Sequence, residues 1–116
     1  MLFTGISRKF SLTNEEQYNT IGAFWDEISL IYGLENIQGL GYKWENGIIF
    51  YAIGLKDGTI KEANFHLELP NDGWTIVDGE TYQLKSIYDE IYKSGPLKYE
   101  IETFTENGKC QIRYYR

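Results

Sequence analysis

Acid–base chemistry and metal binding need titratable groups in clusters, and this chain offers few. It has one histidine, His66, and one cysteine, Cys110. No His/Cys set with metal-ligand spacing can be assembled from them, and no nucleophile–histidine–acid arrangement is visible around His66. No metal and no cofactor is therefore expected; His66 reads as a surface or cross-strand residue and Cys110 as strand packing. The stretch GLGYKWENG, residues 39–47, carries two close glycines, but it precedes a strand, whereas a dinucleotide fingerprint must open a helix. The acid pairs Asp26-Glu27 and Asp89-Glu90 are neighbours on helices, point in different directions and read as solvated faces. What remains is Glu102, in KYEIETF (98–104), within a chain holding 3 Trp, 10 Tyr and 6 Phe, more rings than packing alone requires. A carboxylate among rings suits a cation whose flat apolar body the rings sandwich, each ring adding ~0.5–2 kcal/mol of cation–π attraction. The alternative is an exposed strand glutamate balanced by Lys98 or Arg113.

The chemistry must be positioned by a small scaffold. At 116 residues the chain allows one domain, 1–116, and its 42% hydrophobic and 24% charged composition places it in the globular class. No basic-then-apolar leader and no run of ~20 apolar residues is present, so a cytoplasmic chain that neither spans nor sits on a membrane is expected. A net charge of -6 repels phosphate backbones and argues against direct nucleic-acid binding; a cationic partner suits it better.

Hydrophobic periodicity predicts a helix over 14–32 with Tyr18, Ile21, Trp25, Ile28 and Tyr32 on one stripe, opened by a Thr13/Glu16 capping box and stopped by Gly33. A second helix is predicted over 81–94, with Leu84, Ile87, Tyr88 and Ile91 on its stripe. Strands are predicted over 5–12, on both sides of Asn46-Gly47 within 39–55, over 62–78 with a break near Pro70–Gly73, and around Asn107-Gly108 within 98–115. Residues 48–55 are apolar on both faces, so this strand is either central and covered twice or the wall of an apolar groove, with Tyr42 and Trp44 on its neighbour. In the last hairpin, alternation sets Ile101 toward the helices and Glu102 away from them.

The phrase Asp26-Glu27-Ile28 returns as Asp89-Glu90-Ile91, and the turn Glu45-Asn46-Gly47 returns as Glu106-Asn107-Gly108, in the same order. The expected fold is therefore α+β: duplicated βαββ units, about 3–56 and 63–116, forming one antiparallel sheet with two helices and a central ligand groove near an approximate two-fold axis.

In that series, FTGISRKFSL, IGAFWDEIS, GLGYKWENGIIFYAIGLKD, LPNDGWTIVDGE and YEIETFTENGKCQIRYYR resemble the GyrI-like small-molecule-binding domain, also called the AraC-type or multidrug-regulator effector-binding domain. The resemblance runs over almost the whole chain; each motif is loose, and the series carries it. It implies a groove for lipophilic, cationic or planar aromatic compounds with Glu102 at its centre and Tyr42, Tyr51, Trp74, Trp25 and Tyr114 around it. Phe104 stands where the family usually has a tyrosine, which removes a phenol. The resemblance further implies a stand-alone effector sensor of the transcription-regulator type, monomeric or weakly dimeric, and not primarily an enzyme. Two other roles occur among proteins of this kind: hydrolysis of cyclopropane-bearing DNA alkylators, with Glu102 as the catalytic base, and inhibition of DNA gyrase, which would make gyrase or a regulator the protein partner.

Overall fold

The computed structural model describes residues 1–116. In chain order the elements are β1 (Leu2–Ser11), α1 (Gln17–Tyr32), β2 (Ile37–Glu45), β3 (Ile48–Leu55), β4 (Phe65–Glu68), β5 (Thr75–Glu80), α2 (Leu84–Lys93), β6 (Tyr99–Phe104) and β7 (Lys109–Tyr115). One seven-stranded sheet holds every strand in the order β4-β1-β3-β2-β6-β7-β5, and all six pairings are antiparallel. The run β1-α1-β2-β3 lies side by side as β1-β3-β2, and the run β5-α2-β6-β7 as β5-β7-β6. The two runs meet at β2 and β6 through three facing pairs, Gly39–Glu102, Leu40–Ile101 and Gly41–Glu100.

Local sequence explains the joints. Asn46 and Gly47 take φ of 51° and 74°, the two left-handed positions that a two-residue hairpin of matching twist demands. The Thr13/Glu16 capping box does not form. Residues Thr13–Glu15 make a 3-10 turn in which the Glu16 N–H is taken by the Thr13 carbonyl at 3.1 Å, leaving the hydroxyl no amide to cap. A capping box closes instead ahead of α2, between Glu80 and Gln83.

Both faces of the sheet are covered. Phe24, Trp25 and Ile28 of α1 pack on Ile49, Tyr51 and Ile53, while Tyr88 and Ile91 of α2 pack on Ile112. The opposite face carries Phe3, Leu40, Ala52 and Ile101, closed over by Leu69 with Phe65, Leu67, Trp74 and Tyr99 at its margin. The cover comes from topology: β4 and β5 are consecutive in the chain yet lie at opposite edges of the sheet. Six strand spacings of ~4.8 Å amount to ~29 Å, more than the ~25 Å that the short link from Glu68 to Thr75 can reach, so the sheet must curl its edges together. Leu69 anchors one end of that link through backbone bonds with Met1. Trp74 anchors the other, stacked on Tyr99, tilted against Tyr115 and donating its indole N–H to the Pro70 carbonyl at 2.8 Å. The 48–55 strand is thus central and buried on both sides. No helix is long and apolar enough to cross a membrane.

Candidate functional site

Alternation in β6 places Tyr99, Ile101 and Thr103 on one face and Glu100, Glu102 and Phe104 on the other. Since Ile101 packs with Phe3, Leu40 and Leu69, the acids point under the helices, opposite to the orientation expected from sequence. The physical reason is the second cover. With a chain segment sealing the back of the sheet, the apolar face of β6 belongs there, and the helix side is free to hold polar groups.

Between the two helices and the sheet lies a cavity of about 660 Å³, within the size range of small-molecule sites. α1 contributes Tyr18, Ile21 and Trp25, α2 contributes Leu84, Tyr88 and Tyr92, and the floor is formed by Trp44, Ile49, Tyr51, Glu100, Glu102 and Phe104. Exposed Asp26, Thr81 and Glu106 also line it, so the space reaches the surface. Its lining includes four carboxylates and no lysine, arginine or histidine.

Glycines make room for this arrangement. Gly39 and Gly41 of β2 sit directly across from Glu102 and Glu100. A Cβ on Gly39 would fall 2.0 Å from the Tyr51 hydroxyl and 2.8 Å from the Trp25 ring; one on Gly41 would fall 2.8 Å from the Glu100 side chain. The Gly-Leu-Gly stretch is thus a cleared strand under the cavity. Tyr42 follows at a register shift between Gly41 and Lys43.

Glu102 is 4% exposed and accepts a hydrogen bond from the Tyr51 hydroxyl, which itself accepts the Trp25 indole N–H at 2.8 Å. Glu100, also 4% exposed, accepts from the Tyr92 hydroxyl at 2.9 Å. Neither carboxylate belongs to any ion pair. Burial, then the neighbouring Glu102 charge, pushes the Glu100 carboxyl well above its ordinary range against the lowering effect of Tyr92. Burial likewise raises Glu102, opposed by the phenols of Tyr51 and Tyr88. The surrounding phenols rise with them: Tyr51 and Tyr88 go far above 10 through burial and the nearby acids, and Tyr18 is pushed up to about 12. The Tyr88 hydroxyl is buried without a partner in hydrogen-bonding geometry.

Of the residues singled out from sequence, the cavity gathers Glu102, Tyr51 and Trp25. Tyr42 and Trp74 lie on the opposite face of the sheet, Tyr42 bonded to Ser7 at 2.6 Å and stacked on Phe65. Tyr114 packs at the outer edge of α2, beside a separate shallow depression with Val77 and Ile87. Sequence reasoning missed Tyr18, Tyr88, Tyr92 and Glu100 as site residues. Tyr18 and Tyr88 were visible as stripe residues, and Glu100 shares the strand parity of Glu102. Phe104 brings no hydroxyl and sets its ring edge-on to Trp25 at 4.8 Å, while Tyr51 supplies the phenol. Lys98 and Arg113 do not pair with Glu102, His66 is exposed on β4, and Cys110 is buried. No group of three or more His, Cys, Asp or Glu side chains is placed to hold a metal ion.

No protein-family model, curated protein or solved structure matches this chain.

Proposed function

We propose that the chain is a small-molecule-binding domain made of two βαββ units, and that the cavity between its helices is a groove for lipophilic, cationic, planar aromatic compounds. The observation that carries the reading is the Glu102 carboxylate: buried, without a counterion, and set in a ring-walled space lined by acids and no bases. A buried charge without a partner is costly, and an organic cation entering the cavity would supply the partner while burying its apolar body against Trp25, Trp44 and Tyr88. The matching strand orders of the two runs support the duplication, as do the repeated Asp-Glu-Ile and Glu-Asn-Gly phrases. A sensor for such compounds, of the AraC-type or multidrug-regulator kind, is the role this reading favours.

Trp25 and Trp44 at the cavity make fluorescence quenching the natural assay. A planar cationic dye is expected to quench it, and Glu102→Gln to weaken that binding by at least tenfold. Equal affinity of the two proteins for every cationic dye tried would overturn the reading.

One observation favours a second reading. A carboxyl whose proton affinity is raised by burial can take a proton from water, as the hydrolysis of a strained cyclopropane ring would require. Turnover of a cyclopropane alkylator that disappears in Glu102→Gln would replace the passive binder with this enzyme. Inhibition of gyrase supercoiling without binding of either ligand class would favour the protein-partner role instead.

A further inference from the structure

Glu100 is a second carboxylate that a single-cation site does not use. It stands two residues from Glu102 on the same face of the same strand, ~7 Å away along the chain by strand geometry. Gly41, directly opposite, leaves its side chain the space that a Cβ there would fill. It is as buried as Glu102, lines the same cavity, and is held by its own phenol, Tyr92 from α2, as Glu102 is held by Tyr51 from β3. Two buried carboxylates without an internal cation repel each other as they ionise, a cost that two cationic centres would relieve.

A further polar group faces the same space. Tyr88 is 4% exposed and lines the cavity, and its hydroxyl lies near enough to Glu102 to favour that carboxylate without making a hydrogen bond of good geometry.

We infer that the cavity takes compact organic dications, with Glu102 and Glu100 as paired anionic subsites roughly 7 Å apart and the apolar body of the ligand lying between the α1 and α2 rings. The inference rests on the small-molecule reading above and narrows its ligand class: two cationic centres carried by one small aromatic body, in preference to one. A monocation satisfies Glu102 alone and leaves Glu100 unpaired; a dication of matching span satisfies both.

The test compares two amines with the same ring, 1,4-bis(aminomethyl)benzene and 4-methylbenzylamine, by tryptophan fluorescence on the wild-type protein at ~0.15 M salt, where long-range attraction to the net negative chain is screened. The expected result is a dication bound at least tenfold more tightly than the monocation, against the roughly twofold that two equivalent ends give by statistics. Glu100→Gln should bring that ratio down to about twofold. Because the readout is a ratio within one protein, a general weakening of the variant does not imitate the result, and the wild-type ratio stands without any variant. The longer 4,4′-bis(aminomethyl)biphenyl should lose the advantage. A wild-type ratio near twofold, or a tenfold ratio that Glu100→Gln leaves intact, overturns the dication site while the cavity reading survives. No binding of either amine or of planar cationic dyes overturns both.

Discussion

At the scale of single residues, the two carboxylates of β6 stand out as the buried acids of the molecule. Both hold their protons more tightly in the folded chain than the ordinary carboxyl value of 4.5. Above that value the native state therefore binds more protons than the unfolded one, and stability falls as pH rises from about 4.5 through the native titrations. The contribution is full at the acid end of this window and lost at its alkaline end. Glu100→Gln removes one of the two groups, so near pH 7.5 it is expected to melt higher than wild type by several degrees, equivalent to about 1–2 kcal/mol. At pH 4.5 the difference should shrink. Thermal unfolding across pH 4.5–8 measures this, and a variant destabilised equally at every pH would contradict it. Tyr51→Phe acts in the other direction. It removes the hydroxyl that Glu102 and the Trp25 indole share, leaving two buried polar groups short of a partner at a cost of about 1.5–3 kcal/mol. It also takes away a bond that favours the charged carboxylate, so the pH at which the proposed cation binding is half-maximal should move upward.

At the scale of elements, the strand under the cavity is built to be empty. Gly39→Ala places a methyl where the Tyr51 hydroxyl and the Trp25 ring already are, and both are rigid groups at the core. The variant should lose about 1–3 kcal/mol and most of the proposed cation binding, because Tyr51 must swing into the cavity to relieve the overlap. Denaturant unfolding together with dye titration separates the two losses; full binding at reduced stability would mean that Tyr51 escapes elsewhere. The elements themselves were legible in sequence because their signals are local. Ile21, Trp25 and Ile28 recur at helical spacing and lie where α1 meets the sheet, and Asn46-Gly47 turns between β2 and β3 as its backbone demands. Glu102 was visible as a candidate, but its place among aromatics left open whether it faced a cavity or stood as an exposed strand glutamate. Its orientation could not, since strand parity says that Ile101 and Glu102 face apart and leaves open which face the helices take. That choice was made by the link through Leu69 to Trp74, which covers the back of the sheet and draws Tyr42 and Trp74 into it. No local pattern announces such a crossing. The phenols of Tyr88 and Tyr92 were equally hidden, because a tyrosine on an amphipathic stripe looks the same whether it packs or lines a space.

At the scale of the whole molecule, the two βαββ runs are joined chiefly where β2 meets β6, and the facing pairs there are also those that carry Glu100 and Glu102. Cavity and junction are therefore one structure, and neither run can present the cavity alone: Trp25 and Tyr51 come from the first, Tyr88 and both acids from the second. Leu40 sits in the middle pair opposite Ile101, with no exposure to solvent, and packs behind the sheet with Phe3, Ala52 and Leu69. Leu40→Ala should therefore cost 2–5 kcal/mol from a domain of this size whose total stability is about 6–17 kcal/mol. Because the residue touches groups from both runs, the loss should appear as a lower midpoint of one cooperative transition, seen alike by tryptophan fluorescence and by far-ultraviolet circular dichroism. Two separated transitions would mean that the runs fold independently. In that case the inter-helix cavity would be a property of how they dock, and the proposed cation binding would be lost at the first transition.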